Sequence, residues 1–303
     1  MAPFSVSDAA ISGFRFIRSQ PRVMLVWTGA FVVFELVWGG LLVVLAGDNI
    51  AKFEHFRELI NTDILAALAM LPAVALVLLF GMIGRLAFWS VMFAAAYRAM
   101  LSPDYRAPGF IHFGTDEIRM AGLISLWSVL VVGYGFLVLF AFLLLSVMGA
   151  ALPGLIKMLY LLIVAVGCAS AVVWPTVRLS MSMPMTLHGH HIRLFDSWKL
   201  TRGRFWPLFG AYLITAILMA ILVILAAIVI GVVAAAVTLA TGGSINGLSG
   251  VLSADPNTLS ARFSLASLIS ALIEAPIWAA SLAVFVGPVA TAYQALTEPA
   301  GQA

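Results

Sequence analysis

Three ionisable residues stand within or near apolar runs of this sequence: Glu35, Arg85 and Glu274. A charge inside a bilayer is costly, so such residues usually face the interior of a helix bundle and pair with one another. Their opposite charges favour an ion pair between Arg85 and either Glu35 or Glu274. The alternative is that Arg85 extends its side chain to the membrane surface, or makes a purely structural pair, with no role in transport. Neither interpretation identifies a substrate.

A second group of candidate ligands is the histidine-rich segment LHGHH at 187–191. It supplies His188, His190 and His191, and Asp196 follows five residues later. Zinc is held by histidine and carboxylate ligands, but this spacing fits no strong metal-site signature. A polar loop at a basic surface explains the segment as well. We therefore predict no metal site and no cofactor.

Motifs of common enzymes are missing from the sequence. It contains no GxSxG nucleophile elbow, no HExxH pair and no dense acidic cluster. The glycine-rich stretch GGSINGLSG at 242–250 follows an apolar run rather than a strand that opens into a helix. It therefore does not predict a phosphate-binding loop. We predict that the protein is not an enzyme.

The composition places these residues in a membrane protein. Of 303 residues, 63% are hydrophobic and 10% are charged, against about 45–50% and about 25% in soluble domains. Several apolar runs exceed the roughly 20 residues that a helix needs to cross a bilayer, and backbone groups in lipid must bond within their own segment. The single cysteine, Cys168, excludes an internal disulfide. The fold class predicted is an all-α polytopic membrane protein.

Six spans are predicted, at 22–46, 64–101, 121–148, 155–183, 206–241 and 264–296. The first is longer than the apolar region of a secretory signal peptide, so we interpret it as an uncleaved span. The second is long for a bilayer, and GMIGR at 81–85 could divide it into two. One long helix is preferred, because a seventh span would divide the basic residues between the two sides of the membrane.

The distribution of basic residues predicts the orientation. With six spans, four basic residues lie on one side, and eleven on the other, which the positive-inside rule makes the cytoplasmic side. The four are Lys52, Arg57, Lys157 and Arg262, and the eleven are Arg15, Arg18, Arg22, Arg98, Arg106, Arg119, Arg178, Arg193, Lys199, Arg202 and Arg204. Both termini are then cytoplasmic, in a bacterial inner membrane. Because the membrane face accounts for the basic residues, no nucleic-acid partner is predicted.

Three segments resemble membrane-surface helices. RLFDSWKLTRGRFWPLF at 193–209 holds four basic residues and two tryptophans, with Gly203 and Pro207 marking a bend into the next span. Segments 3–20 and 110–120 show related patterns. The function is either plain anchoring or specific binding of anionic lipid headgroups or a protein partner. The candidate lipid-interface residues are Phe14, Arg15, Arg18, Trp198, Lys199, Arg202, Arg204 and Trp206.

Internal repetition organises the chain. GFRFIRSQPRVML, from Gly13, aligns with SWKLTRGRFWPLF, from Ser197, and AAYRAML at 95–101 aligns with TAYQALT at 291–297; the middle third matches less well. We predict one membrane domain, 1–303, with pseudo-repeats at 3–101, 108–183 and 190–296 and a flexible tail at 297–303. Each unit would be a cytoplasmic amphipathic helix and two spans. An even number of spans per unit makes the repeats parallel, about an axis along the membrane normal.

The sequence DSWKLTRGRFWPLFGAYL, together with AAYRAML and IRLFDSW, resembles a family of bacterial six-span membrane proteins. That family is similar to the membrane domain attached to some glycerophosphodiester phosphodiesterases. The phosphodiesterase itself is a soluble barrel with paired acidic metal ligands, and this chain has no such stretch. The resemblance therefore implies a membrane module without the catalytic domain.

Two classes of function follow from these patterns. The first is a noncatalytic membrane module that organises lipids or partner proteins through its cytoplasmic surface helices. The second is a transporter or channel for a small or amphipathic substrate. The first is favoured because intramembrane polar residues are few, whereas a path for a solute usually needs more of them. A packed interior or an open cavity would distinguish the two.

Overall fold

The computed structural model describes residues 5–46, 49–102, 107–240, 259, 263 and 265–297. Helices and turns account for the secondary structure of this part of the chain, without strands. The predictions about the loop at 242–250 and the tail after residue 297 lie outside the described residues. The helices are α1 (Val6–Ser19), α2 (Pro21–Ala46), α3 (Asn49–Thr62), α4 (Ile64–Leu101), α5 (Thr115–Met148), α6 (Gly154–Leu179), α7 (Ser182–Gly189), α8 (Asp196–Leu200), α9 (Phe205–Ala240) and α10 (Leu265–Thr297).

Six of these helices, α2, α4, α5, α6, α9 and α10, include segments long and apolar enough to cross a membrane. The prediction of an all-α fold with six helices of this length and apolar character is confirmed for the described residues. The preferred single helix over 64–101 is also observed, because α4 continues without interruption through GMIGR at 81–85. Gly84 serves packing here: the ring of Trp38 occupies the space that a Cβ would need.

Helix α3 was not predicted. It folds back along the first half of α4, where Phe56, Ala67 and Val74 form a small core of their own. Helix α4 begins at Asp63, whose carboxylate accepts hydrogen bonds from the backbone N–H groups of Leu65 and Ala66, both at 3.1 Å. With 38 residues, α4 is about 57 Å long at the rise of an α-helix. It is therefore longer than a hydrocarbon core of about 30 Å.

The main core lies at one end of the bundle, where α2, α5 and α9 begin and α4, α6 and α10 end. We call this the basic end. Its fully buried side chains include Trp27, Tyr97, Met120, Met181 and Leu208. Hydrogen bonds tie loops and helix ends together there. The indole N–H of Trp27 donates to the carbonyl oxygen of Gly109 at 2.8 Å, and the Gln294 amide donates to the carbonyl oxygen of Met100 at 3.2 Å.

Helix α1 packs against α10 and α9 through small residues. Ala9, Ala10 and Gly13 are buried on this face, whereas Ile11 is 42% exposed. The sequence pattern predicts an interfacial helix with its larger apolar residues on one face, and it does not predict this contact with the protein. Small side chains contact the protein instead, because they allow two helix backbones to approach closely.

The prediction of a surface helix over 110–120 is not confirmed, because only residues 115–120 are part of a longer helix. Residues 111–114 are not helical, and α5 starts at Thr115 and runs directly into the apolar segment. The turn before it contains Gly109 and Phe110, both with positive φ. The segment at 193–209 is only partly helical, since α8 covers five residues and α9 begins at Phe205. The expected bend is present at Gly203, where φ is 77°.

Candidate functional site

Glu35, Arg85 and Glu274 line one cavity of about 380 Å³. They come from α2, α4 and α10, which contact one another along the bundle. Glu35 is fourteen residues after Pro21, and Arg85 is sixteen residues before Leu101. These separations correspond to about 20 Å or more from the basic end. The cavity is therefore deep within the span region, and its three charged side chains are exposed rather than packed away.

Aromatic rings form most of the remaining wall of this cavity. The ring centroids of Phe34 and Phe88 are 4.0 Å apart in a stacked arrangement. Phe31 meets Phe88 edge-on at 5.0 Å, and Trp89 meets Trp278 edge-on at 6.2 Å. These contacts hold the rings in fixed positions beside the charges. Small residues, Ala271 and Ala275, complete the lining.

Among the described residues that line the cavity, two carry carboxylates and one carries a guanidinium. Charges interact more strongly where water is scarce than at a surface. The cavity presents charged groups and aromatic ring faces, and both can bind a ligand. The sequence identified these three residues, but their meeting in one cavity depends on the packing of α2, α4 and α10.

The sequence patterns did not predict a cluster of charged side chains that lies at the basic end. Arg98, near the end of α4, and Glu117, in the first turn of α5, form an ion pair in which the residues are only 7% and 5% exposed. Asp116 extends the network, because it pairs with Arg119 at 2.6 Å and with Nδ1 of His190 at 3.0 Å. The signal was present in the sequence: two acids stand just before the apolar run that follows the one containing Arg98.

An apolar groove of about 1040 Å³ runs beside this network, between α2, α4 and the start of α5. Its walls include Trp38, Phe88, Ile111 and Ile118, and Glu117 lies at its polar edge. The lining is suited to hydrocarbon, which is the material that surrounds a spanning helix. We assign the groove no specific ligand, because nothing in the structure shows what covers it.

The lipid-interface candidates of the first segment lie on α1. Phe14 is half-buried, and Arg15 and Arg18 are exposed. Arg15 is not a free cation, because its guanidinium is 3.1 Å from the carboxylate of Asp8. Hydrogen bonds from Ser5 and then Arg15 hold the pKa of Asp8 below its ordinary value. The pair therefore persists at neutral pH and offsets part of the positive charge of α1.

The candidates of the second segment lie on α8 and the start of α9. The Lys199 side chain is 86% exposed and 3.5 Å from Asp196, while Arg202 and Trp206 are exposed and Arg204 is half-buried. Trp198 instead packs edge-on against Trp174, with ring centroids 4.7 Å apart. Its ring is thus only partly available to lipid.

Two buried hydroxyls fix α8 to the end of α6. The side chains of Ser197 and Thr201 donate hydrogen bonds to the carbonyl oxygen of Arg178, at 2.7 Å and 3.2 Å. Ser197 also accepts a hydrogen bond from the backbone N–H of Met181 at 3.0 Å. Lys199 and Arg202 are consequently on the exposed side of a segment whose buried side is hydrogen-bonded to the end of α6.

The three histidines of LHGHH have different neighbours. His190 contacts Asp116, His191 contacts the carbonyl oxygen of Gly189, and His188 packs against the ring of Tyr293 at 6.2 Å. Across the described residues, no three histidine, cysteine or acidic side chains are grouped as metal ligands would be.

Comparisons with protein-family models, with curated proteins and with solved structures found no match to this chain. The resemblance to the bacterial six-span family therefore stays a prediction.

Proposed function

We propose that the protein is a noncatalytic membrane module whose basic end binds anionic lipid headgroups and so organises lipids or partner proteins. One observation carries the proposal: Lys199 and Arg202 point outward beside the exposed ring of Trp206 on a segment fixed by buried hydroxyls. A basic residue near an anionic surface contributes about 1 kcal/mol, so Lys199, Arg202 and Arg204 together would give at most roughly 3 kcal/mol before salt screening. Asp196, 3.5 Å from Lys199, offsets part of this attraction.

The proposed location is a bacterial inner membrane, with both termini in the cytoplasm. The support is the charge asymmetry of the sequence, in which eleven basic residues fall on one side of six spans and four on the other. The cytoplasmic leaflet is also where anionic lipid would meet the basic end. Orientation and lipid binding are therefore parts of one proposal.

The proposed organisation is three units related about the membrane normal. Two coincidences of helix boundaries support the relation between the first and third units. Helix α2 begins eight residues after Gly13, and α9 begins eight residues after the aligned Ser197. Helix α4 ends four residues after Tyr97, and α10 ends four residues after the aligned Tyr293. Similar units would present similar surface segments to the lipid.

Native mass spectrometry with anionic phospholipid tests the lipid proposal. The triple variant Lys199→Gln, Arg202→Gln, Arg204→Gln should retain much less lipid than the unaltered protein. The matched control neutralises Lys52, Arg57 and Lys157, three basic residues remote from the basic end, so both variants lose the same charge. Equal loss in the two variants, or no loss in either, would reduce the basic segment to a topology signal.

A transporter or channel for a small or amphipathic substrate is the second candidate function. It is favoured by one observation, the cavity among α2, α4 and α10 that exposes Glu35, Arg85 and Glu274. Charged groups at membrane depth commonly mark a substrate path. This candidate predicts ligand-dependent uptake into vesicles, whereas the lipid-binding module does not require it.

A further inference from the structure

We propose that Arg178 binds the phosphodiester group of a membrane phospholipid at the basic end of the bundle. The proposal rests on the lipid-binding function proposed above and deepens it, because it names the chemical group that is recognised and the side chain that contacts it. Three observations carry it: the lack of an anionic partner for Arg178, the placement of two indole rings on one side of its guanidinium group, and the apolar surface around it.

Arg178 is a cation without a described anion. It lies in the last turn of α6 and is half-buried. Its Nε and Nη1 atoms are buried and have no hydrogen-bond partner. Arg15, Arg98 and Arg119 each form an ion pair with an acidic side chain, whereas Arg178 forms none with the acidic residues that the structure describes. Partial removal of a cation from water is costly unless an anion compensates it, so an anionic ligand would stabilise this residue.

Two indole rings provide only part of the compensation. The guanidinium carbon of Arg178 is 5.7 Å from the ring centroid of Trp174 and 5.8 Å from that of Trp198, and the two centroids are 4.7 Å apart. These distances form a narrow triangle, so both rings lie on the same side of the guanidinium group. Cation–π contacts attract the cation, but they neutralise no charge. Nη2 is the one guanidinium nitrogen that is not among the buried atoms, so its N–H groups can donate to a ligand from outside the protein.

The donor and its surroundings indicate a phosphate ligand. Arginine binds phosphate oxygens through charge-assisted hydrogen bonds, which are stronger than those between neutral groups. Trp174, one turn before Arg178 on α6, is 45% exposed. Exposed tryptophan on a spanning helix typically lies at the level of the lipid headgroups. We therefore expect the N–H groups of Nη2 at the depth of the phosphodiester group of a phospholipid.

The apolar surface near Arg178 favours a lipid over free phosphate. Val172 and Val173, within two turns before it on α6, and Phe195, just before α8, are exposed. Phe195 and Leu179 also line an apolar cleft of about 270 Å³ between α5 and α6. A surface of this kind suits the acyl chains of a lipid, whereas it offers no further polar contacts to a hydrated inorganic ion.

Lipid titration followed by native mass spectrometry tests the proposal with the full chain in detergent. Three lipids with the same acyl chains are compared: phosphatidylglycerol, phosphatidylcholine, and diacylglycerol, which lacks the phosphate. Arg178→Gln should weaken binding of both phospholipids at least about tenfold, because it removes a charge-assisted hydrogen bond, and it should leave binding of diacylglycerol unchanged. Loss of folding would weaken all three lipids alike. Equal weakening of the three lipids, or of none, would overturn the proposal.

The triple variant Lys199→Gln, Arg202→Gln, Arg204→Gln separates this inference from the proposed function. It should weaken binding of anionic phosphatidylglycerol more than binding of zwitterionic phosphatidylcholine, whereas Arg178→Gln should weaken both. An effect of the triple variant without an effect of Arg178→Gln would refute the Arg178 site and leave the proposed function standing. The reverse result would refute binding through Lys199 and Arg202 and leave Arg178 as the lipid contact.

Arg119→Gln is the matched control. Its cation lies at the same end of the bundle and is already paired with Asp116 at 2.6 Å, so this variant should leave binding of both phospholipids unchanged. An effect equal to that of Arg178→Gln would show that the net charge of the basic end controls binding, and it would overturn the proposal.

Equilibrium dialysis with radiolabelled inorganic phosphate at millimolar concentration distinguishes the two sources of the anion. No saturable binding of free phosphate is expected, because the proposed contact needs the acyl chains to hold the ligand at the membrane surface. Saturable binding that Arg178→Gln abolishes would overturn phospholipid as the occupant of the site.

Discussion

Gly13 of α1 lies against Gly287 of α10, backbone to backbone. A Cβ on Gly13 would overlap Ala283 and Val284, and a Cβ on Gly287 would overlap the backbone of Gly13. Small residues are the usual means by which membrane helices approach so closely, because lipid provides no hydrophobic force to press helices together. This contact joins the first described helix of the chain to the last.

Substitution at this crossing should destabilise the bundle. Gly13→Ala or Gly287→Ala adds one methyl group where backbone atoms already stand, and overpacking of this kind costs about 1–3 kcal/mol. Thermal unfolding in detergent measures the loss. Gly133→Ala on α5 is the control, because a Cβ there would meet nothing within 4 Å. The same melting temperature for Gly13→Ala and Gly133→Ala would contradict the close contact.

The buried pair of Arg98 and Glu117 makes a second stability prediction. Arg98→Met leaves a buried carboxylate without its cation, and breaking such a pair costs about 3–5 kcal/mol. The double variant Arg98→Met, Glu117→Met should lose less stability than the single variant, because neither charge remains. Chemical unfolding of the unaltered protein, the single variants Arg98→Met and Glu117→Met, and the double variant tests this. Arg15→Met, at an exposed pair, should cost much less stability than Arg98→Met.

Six long apolar helices could be predicted because lipid imposes a simple rule on sequence. An apolar run of sufficient length must form a helix, so the bounds of α4 and α10 could be read from composition alone. Glu35, Arg85 and Glu274 were identified for the same reason, since an ionisable residue is conspicuous in such a run. Their arrangement around one cavity could not be predicted from the sequence, because it depends on how α2, α4 and α10 are oriented toward one another.

The features that were missed depend on partners distant in sequence. Helix α3 is polar enough to resemble a loop, and its apolar side is defined only by contact with α4. The sequence pattern predicts a surface helix for the acids that begin α5, whereas Glu117 forms a buried ion pair with Arg98. Likewise, the glycines of α1 and α10 have a packing role that neither segment reveals alone.

Reporter fusions test the proposed orientation. Fusions after residues 52, 157 and 250 should report the outside of the cell, and fusions after 106 and 193 should report the cytoplasm, because the basic residues cluster near the latter two positions. Each fusion joins the reporter to a chain truncated at one of these residues. The activity of the reporter is then measured in intact cells. A fusion after residue 193 that reports the outside would contradict both the orientation and the meeting of the basic end with cytoplasmic lipid.

Trp174, Arg178 and Trp198 form a cluster in which a guanidinium group lies near two indole rings. The guanidinium carbon of Arg178 is 5.7 Å from the Trp174 ring centroid and 5.8 Å from that of Trp198. Two of its nitrogens, Nε and Nη1, are buried without a hydrogen-bond partner in the described structure. The indole rings are therefore the groups that compensate this cation, and they join α8 to the end of α6.

Trp198→Leu should consequently be coupled to Arg178→Met. Trp198→Leu alone leaves the cation with one ring, whereas Trp198→Leu in the Arg178→Met background removes no such contact and should cost about 1 kcal/mol less. Unfolding of the two single variants and the double variant measures this coupling. Strict additivity would show that Ser197 and Thr201 hold α8 without the rings. If the coupling is present, Trp198→Leu should also lower the retention of anionic lipid although Lys199 and Arg202 are unchanged, because the segment that presents their charges is then less firmly held.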